Sequence, residues 1–212
     1  MLEASGFTSI TNIENVTGGT GADSLTGSLV ANTLNGGADT ISTGTNDNLA
    51  DFIRFLAANE FGDTVNNFDA TGTAAQIDRV QFGATRRTLF DDGNINGILA
   101  FVSGNDNNNG NTAVNLNGTV EALFLNGNNR EGLTTGQLIN AAQVAAEFNR
   151  EFALTAANGE ATLLVINDTN NNRAAVWEWD QANGGEMASN ELTLIGVINA
   201  NATVTTGSFG FF

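Results

Sequence analysis

The strongest structural signal in the chain is the nine-residue run from Gly18 to Thr26, which reads Gly-Gly-Thr-Gly-Ala-Asp-Ser-Leu-Thr. Closely spaced glycines allow a tight turn with positive φ and a close approach of another backbone. Asp23 offers a hard oxygen ligand, and Leu25 begins a short strand with an inward side chain. The run therefore predicts a calcium-binding turn followed by a short β-strand.

The core of this run, an acid or amide, then any residue, then an apolar residue, recurs along the first fifty residues. Its copies begin at Glu14, Asp23, Asn32, Asp39 and Asp47, with spacings of 9, 9, 7 and 8 residues. The third and fourth intervals are shorter because their turns have lost residues. A repeat of this period predicts about two stacked coils that become irregular toward Leu49. Glycine- and asparagine-rich turns between strands also occur in all-β proteins without metal, so a metal-free turn is the alternative.

The run matches Gly-Gly-x-Gly-x-Asp-x-U-x, where U is a large apolar residue, and on this motif the chain resembles the RTX family of secreted bacterial proteins. The resemblance implies a right-handed parallel β-roll with calcium bound between turns two repeats apart. Asp23 would then share an ion with Asp39. Asn32 would pair with Asp47 or with Glu14, in weaker sites because its oxygen is neutral. The implied metal ligands are Gly19, Gly21, Asp23, Asn32, Gly37, Asp39 and Asp47.

The rest of the chain predicts a mainly β fold. Apolar patterns predict strands at 51–56, 62–69, 78–82, 95–102, 120–126, 161–166, 174–179 and 191–198, and a shorter tail at 204–212. A capping-box pattern at Thr134 and Gln137 predicts a single helix over Gln137–Phe148, with Leu138, Ala145 and Phe148 on its buried face.

Two domains follow from these patterns: a short RTX-type β-roll with its lead-in strand at 1–56, and a β-rich, sandwich-like capping and C-terminal domain at 57–212 with one helix near 135–150. The stretches 62–69 and 78–82 resemble the flank that follows RTX rolls, and the last sixty residues resemble the region that ends many such proteins.

Two later loops have part of a calcium-loop pattern. The stretch from Asp180 to Glu191 has twelve residues, with a carboxylate at each end. Its third and fifth positions are Ala182 and Gly184, so two ligands are missing, and a β-hairpin with a decayed site is the favoured interpretation. The stretch from Asp168 to Asn172 has only the opening of such a loop.

Composition excludes several classes of function. The chain has 23 acidic residues against seven arginines and no lysine, for a formal net charge of −16, so it should repel nucleic acid and attract divalent cations. The absence of His and Cys excludes zinc sites of the usual kind, thiol nucleophiles, Ser-His-Asp triads and disulfides. No stretch approaches the ~18 apolar residues of a membrane span, and no N-terminal signal-peptide pattern is present.

The resemblance implies a calcium-dependent folding and type I secretion module of an exported protein, found outside the cell or at its surface, without enzymatic activity. The ending Phe211-Phe212 resembles the apolar terminus of uncleaved export signals. Its partners would be calcium ions and the type I secretion machinery. The alternative is a surface-layer or adhesin module that attaches to a glycan or a neighbouring subunit. A glycosidase-like enzyme would need two facing carboxylates, and no pair stands out from the turn acids.

Overall fold

The computed structural model describes residues 14–19, 21–37, 49–57, 60–90, 99–105, 112–116, 120–127, 133–134, 136–155, 161–168, 172–182 and 186–212. The fold is mainly β, as the sequence predicts, with large sheets. Of the predicted lead-in strand, only its end lies within these residues, as the first strand.

Six short strands follow one another from residue 15 to residue 82 and alternate between two sheets. They are β1 Asn15–Thr17, β2 Ser24–Thr26, β3 Thr33–Asn35, β4 Phe52–Phe55, β5 Asp63–Phe68 and β6 Arg79–Phe82. Strands β1, β3 and β5 pair in parallel in one sheet, and β2, β4 and β6 pair in parallel in the other. Each turn of the chain thus adds one strand to each sheet, and we call this arrangement the coil.

The inward side chains of the coil form one core between the two sheets. Leu34 and Val65 face it from the first sheet, and Ile53, Val80 and Phe82 face it from the second. These residues alternate with polar ones because successive side chains of a strand point to opposite faces. The alternation places one or two apolar residues per short strand in the core.

The last two strands extend both sheets of the coil. Strand β13, Leu192–Ala200, pairs in parallel with β5, and β14, Phe209–Phe211, pairs in parallel with β6. The coil therefore continues past residue 56, and the C-terminal strands belong to its sheets rather than to a separate sandwich. Without β13 and β14, the strands β5 and β6 would each have an edge of unpaired backbone N–H and C=O groups. Pairing with the C-terminal strands satisfies these groups.

The sheet that contains β1, β3 and β5 grows into an eight-stranded central sheet in the order β1-β3-β5-β13-β12-β11-β9-β7. Its remaining strands are β7 Phe101–Asn105, β9 Ala122–Gly127, β11 Ala161–Asp168 and β12 Arg173–Asp180. Strand β12 is antiparallel to both β11 and β13, whereas β7, β9 and β11 run parallel. The other, four-stranded sheet has the order β14-β6-β4-β2, and we call it the outer sheet.

Strand β11 shows why the central sheet lies in the middle of the molecule, since all eight of its residues are buried. Leu163 and Val165 belong to the core between the two sheets, and Leu164 and Ile166 belong to a second core on the opposite face. A strand that is buried on both faces is expected to have consecutive apolar residues. In β11 these are the four central residues, 163–166.

The second core is covered by α2, Ala141–Glu151, and by the parallel pair β8, Thr112–Asn115, and β10, Phe152–Thr155. The predicted helix start at Gln137 is wrong. Residues 136–139 form a turn, and α2 begins after Asn140, whose side chain accepts hydrogen bonds from the backbone N–H groups of Ala142 and Gln143. The predicted burial of Leu138, Ala145 and Phe148 is confirmed.

The prediction of a single helix is also wrong, because α1 spans Ala84–Phe90. It begins directly after β6 and has no side-chain capping signal in the sequence. Tertiary contacts hold it: the Phe90 ring packs on Phe82 with centroids 5.3 Å apart, and Arg86 forms an ion pair with Glu178. Within the described residues, neither helix is long and apolar enough to cross a membrane.

Candidate functional site

Aspartates connect successive turns at one edge of the coil. Asp23, Asp51 and Asp78 stand immediately before β2, β4 and β6, and we call them the aspartate ladder. The Asp23 N–H donates to Asp51 Oδ1 over 2.8 Å, and the Asp51 N–H donates to Asp78 Oδ1 over 2.8 Å. The Asp51 and Asp78 carboxylates therefore each hold the backbone of the neighbouring turn in register.

The second carboxylate oxygens of the ladder face the turns that precede each strand. Asp23 Oδ2 accepts a hydrogen bond from the Gly19 N–H, and Asp78 Oδ2 accepts one from the Asp69 N–H over 2.8 Å. A Cβ atom at Gly36 would overlap with Asp51 Oδ2. Glycine is required at this position because the carboxylate oxygen occupies the space of a side chain.

A second row of polar residues lies at the opposite edge of the coil, where Glu14, Asn32 and Asp63 are register neighbours. The Asn32 N–H donates to Asp63 Oδ1 over 2.8 Å. Asp63 Oδ2 is buried beside Gly27 and has no hydrogen-bond partner among the described residues. Burial raises the pKa of Asp63 to about 6; the negative charge of Glu60 adds to this rise, and the hydrogen bond from Asn32 opposes it.

The structure places four of the predicted ligands, Gly19, Gly21, Asp23 and Gly37, at the first edge. Gly37 has a φ of 143°, which favours glycine, and its missing side chain leaves room for the carbonyl oxygen of Gly19. The Asp23 carboxylate accepts a hydrogen bond from the Gly19 N–H in the same turn. Gly21 lies in this turn as well, with open space where a Cβ would be.

The remaining predicted ligands are placed differently. Asn32 lies at the other edge, next to Glu14 as expected, but its second neighbour is Asp63. The predicted ligands Asp39 and Asp47 lie outside the described residues. The neighbour of Asp23 in the sheet is Asp51, because β2 pairs with β4 in the register Ser24 to Phe52.

The donor chemistry of these turns suits a hard cation, because every group available is a carboxylate, amide or carbonyl oxygen. Asp23 and the Gly19 carbonyl supply part of a ligand set at one edge, and the orphaned Asp63 Oδ2 lies near Asn32 Oδ1 at the other. Among the described residues, no group of three or more acidic side chains gathers around one point. Calcium takes about six to eight oxygens, so further ligands would have to come from elsewhere.

The loop between Asp180 and Glu191 joins β12 and β13, which are antiparallel, so the predicted hairpin is confirmed. Glu191 is buried, and its Oε2 accepts hydrogen bonds from Trp179 Nε1 over 3.0 Å and from the Ala188 N–H over 3.1 Å. This carboxylate, which would close a calcium loop, binds protein donors instead. Residues 183–185 lie outside the described part of the chain.

Asp51, Asp63 and Asp78 are the site residues that the sequence reasoning missed. The signal was present: Asp51-Phe52-Ile53, Asp63-Thr64-Val65 and Asp78-Arg79-Val80 each repeat the pattern of an acid, any residue and an apolar residue. They escape a search for a nine-residue period because the spacings are much longer: 28 residues from Asp23 to Asp51, 31 from Asn32 to Asp63 and 27 from Asp51 to Asp78. Comparisons of the chain with protein-family models, with curated proteins and with solved structures gave no significant match.

Proposed function

We propose that this chain is a calcium-dependent folding module of the RTX type, in which the coil is a short β-roll. The observation that carries this proposal is the alternation of β1 to β6 between two sheets, in each of which these strands pair in parallel, with an acidic or amide residue at or immediately before the start of each strand. Such a two-sheet coil is the architecture that the motif at Gly18 to Thr26 implies.

Calcium, when bound, would supply positive charge and oxygen coordination between turns of the coil. Asp23 and the Gly19 carbonyl would hold it at one edge, and Gly37 keeps the space beside that carbonyl open. Without a cation, the carboxylates of a chain with a net charge of −16 repel one another, and glycine-rich turns lose much backbone entropy on folding. Metal binding would therefore be coupled to folding.

This coupling suggests a role in secretion. A chain that remains unfolded where calcium is scarce and folds where it is plentiful can pass through a type I export channel and then fold outside the cell. We therefore propose a secreted or cell-surface location and a structural rather than catalytic role, with calcium and the export machinery as partners.

The proposal is tested by circular dichroism and thermal unfolding with excess calcium and with a chelator. At a calcium concentration of 100 times Kd, binding to the folded state alone adds about 2.7 kcal/mol to the free energy of unfolding. Asp23→Ala should reduce this gain. Glu147→Ala, which removes a carboxylate from α2, away from the turns of the coil, is the matched control and should leave the gain from calcium unchanged. Equal unfolding curves in calcium and chelator would exclude the proposal.

A passenger protein fused before this chain tests secretion separately. Removing Val204 to Phe212 should stop export, but the deletion also removes β14. Folding and export must therefore be measured on the same variant, and export of the truncated fusion at the normal level would contradict the proposed signal.

A further inference from the structure

Two of the seven arginines, Arg54 and Arg79, lie on the outside of the outer sheet and have no acidic partner in the part of the chain that the structure describes. Arg54 Nε donates to Gln81 Oε1 over 3.2 Å, and Arg79 Nη2 donates to the Ala74 carbonyl over 2.9 Å. Neither forms an ion pair with any described residue. In a chain with 23 acidic residues, two such arginines on one face of a sheet give that face a local positive charge.

Strand alternation fixes the direction of these side chains. Ile53 and Val80 are buried in the core between the sheets, so Phe52, Arg54 and Arg79 point to the opposite face. All three are half-buried rather than covered. The outside of this sheet therefore presents cationic and aromatic groups to the solvent.

The pairing register places these groups side by side. Phe52 is opposite Arg79, and Arg54 is opposite Gln81, which in turn is opposite Gly210 on β14. The result is a surface on which ring, guanidinium and amide groups alternate across neighbouring strands. We call this surface the arginine face, and it consists of Phe52, Arg54, Arg79, Gln81 and Phe212.

Aromatic rings hold the Arg54 guanidinium in place. Its carbon lies 4.5 Å from the ring centroid of Phe212 and 5.8 Å from that of Phe52, both within the range of a cation–π interaction. The Phe212 ring is 45% exposed. A guanidinium held by rings keeps free N–H groups in a fixed orientation, which favours bidentate binding of a carboxylate.

A cleft of about 520 Å³ opens beside the arginine face, around β14. Its lining includes Arg79, Gln81, Phe101, Thr206 and Gly210. A Cβ at Gly210 would meet no atom within 4 Å, so the surface is open above this residue. Arg79 Nε is buried and has no hydrogen-bond partner among the described residues. Its volume lies within the range of small-ligand sites, roughly 300–1,000 Å³.

The size of the arginine face favours an oligosaccharide over a protein partner. The face spans β4, β6 and the end of β14, and three strands spaced ~4.8 Å apart and three to four residues long cover roughly 14 by 12 Å, or about 170 Å². A stable protein interface buries about 800 Å² on each partner. The face is therefore too small for such an interface on its own, but it matches a few sugar units.

We propose that the arginine face and its cleft bind a carboxylated oligosaccharide, a short chain of uronic-acid units. Arg54 and Arg79 would bind its carboxylates, Gln81 its hydroxyl groups, and the Phe52 and Phe212 rings the apolar faces of its sugar rings. Nucleic acid fits poorly, because its charge of about one per 1.7 Å would be repelled by the acidic remainder of the chain. A short uronic-acid chain carries one charge per sugar unit, so the acidic remainder of the chain repels it less than it repels the denser charge of a nucleic acid.

This inference does not depend on the proposed role of calcium, and the experiment holds calcium constant. The probe is the tetramer of galacturonic acid, with the neutral tetramer of galactose as its control, and binding to the full chain is measured by calorimetry at 0.15 M salt. The acidic tetramer should bind at least tenfold more tightly than the neutral one. Arg54→Gln and Arg79→Gln should each weaken its binding about tenfold, and Arg79→Lys should weaken it less.

Arg173→Gln is the matched control, because Arg173 lies on β12 of the central sheet and the substitution removes the same charge. It should change the affinity by less than twofold. Thermal unfolding reports whether each variant is folded, and Arg79→Lys replaces Arg79→Gln if the latter unfolds.

Three results would each overturn the proposal: equal binding of the acidic and neutral tetramers, equal weakening by Arg173→Gln and Arg79→Gln, or no binding of the acidic tetramer at millimolar concentration. If sedimentation instead shows self-association that Arg54→Gln abolishes, the face is a contact between copies of this chain and the saccharide proposal is wrong.

Discussion

The coil and the layer around α2 are stabilised by different physical interactions. Each coil strand from β1 to β3 has three residues and places a single side chain, such as Leu25 or Leu34, in the core. Carboxylates in the turns hold these strands together. Around α2, by contrast, β11 is buried along its whole length, and Trp177 and Trp179 pack in the second core. Apolar burial stabilises that layer, so solution conditions should affect it less than they affect the coil.

The largest expected effect is in the apolar layer. Trp179 is 1% exposed, and Trp179→Ala should lower the free energy of unfolding by about 3–5 kcal/mol because it leaves a cavity and removes the donor to Glu191. Urea unfolding measures this loss, which should be the same with calcium and with chelator. Trp179→Phe keeps a ring and should lose less. A loss that depends on calcium would contradict the separation of the two regions.

The next effect is at the centre of the aspartate ladder. Asp51→Ala should lower the free energy of unfolding by about 3 kcal/mol, because the carboxylate accepts the Asp23 N–H and occupies the space beside Gly36. Asp51→Asn retains an acceptor oxygen and should lose less than Asp51→Ala. Urea unfolding of both variants at one calcium concentration checks this order. If Asp51→Ala leaves the free energy of unfolding unchanged, the aspartate ladder does not stabilise the coil.

A smaller effect depends on pH. The pKa of Asp63 in the folded protein is about 6, above its ordinary value of 3.8, so the folded state binds this proton more tightly than the unfolded state. The resulting stabilisation is complete below pH 3.8 and is lost as the pH rises through 6. From pH 4 to pH 7.5 the loss is on the order of 2 kcal/mol.

Asp63→Asn has no proton to lose at this position, so its free energy of unfolding should not show this fall. Relative to the parent chain, the variant should gain on the order of 2 kcal/mol between pH 4 and pH 7.5. Chemical unfolding at the two pH values measures the difference. A variant that becomes relatively less stable at pH 7.5 would indicate that the ionised carboxylate is compensated by a cation.

The smallest effect concerns the start of α2. Asn140→Ala removes the acceptor for the Ala142 and Gln143 N–H groups and should cost about 1 kcal/mol in the free energy of unfolding. Asn140→Asp retains an acceptor and should unfold like the parent chain. Thermal unfolding distinguishes them, and equal stability of all three proteins would show that the cap is not needed once α2 is packed.

The sequence predicts strands well where apolar residues alternate or run together. Strands β4 to β6, β9 and β11 to β13 lie close to their predicted positions. The sequence does not predict strands β8 and β10 or helix α1. The two strands have four residues each and the helix has seven, which is too short for a recognisable apolar period. Tertiary packing determines the structure of these segments.

The candidate site is predicted only in part. The glycine-rich motif identifies Gly19, Asp23 and Gly37 as neighbours in one edge of the coil, but it does not reveal that Asp51 follows Asp23 in the sheet. The reason is that stacking depends on how many residues separate the strands: β3 ends at Asn35 and β4 begins at Phe52, a longer separation than a nine-residue period gives. The sequence does contain a signal for the arginine face. Phe52 and Arg54 alternate with the buried Ile53, which predicts that both side chains lie on the outer face of β4.

The pairing of β5 with β13 joins segments that lie about 130 residues apart, Asp63 being opposite Gly196. Contacts of such high sequence separation form slowly, because the chain must close a long loop before it gains them. A chain that is made from its N-terminus exposes the open edges of β5 and β6 until residues 192–211, which contain β13 and β14, have been made. The C-terminal strands thus determine when the coil is closed, and a shortened or stalled chain presents two unpaired edges on which other chains can aggregate.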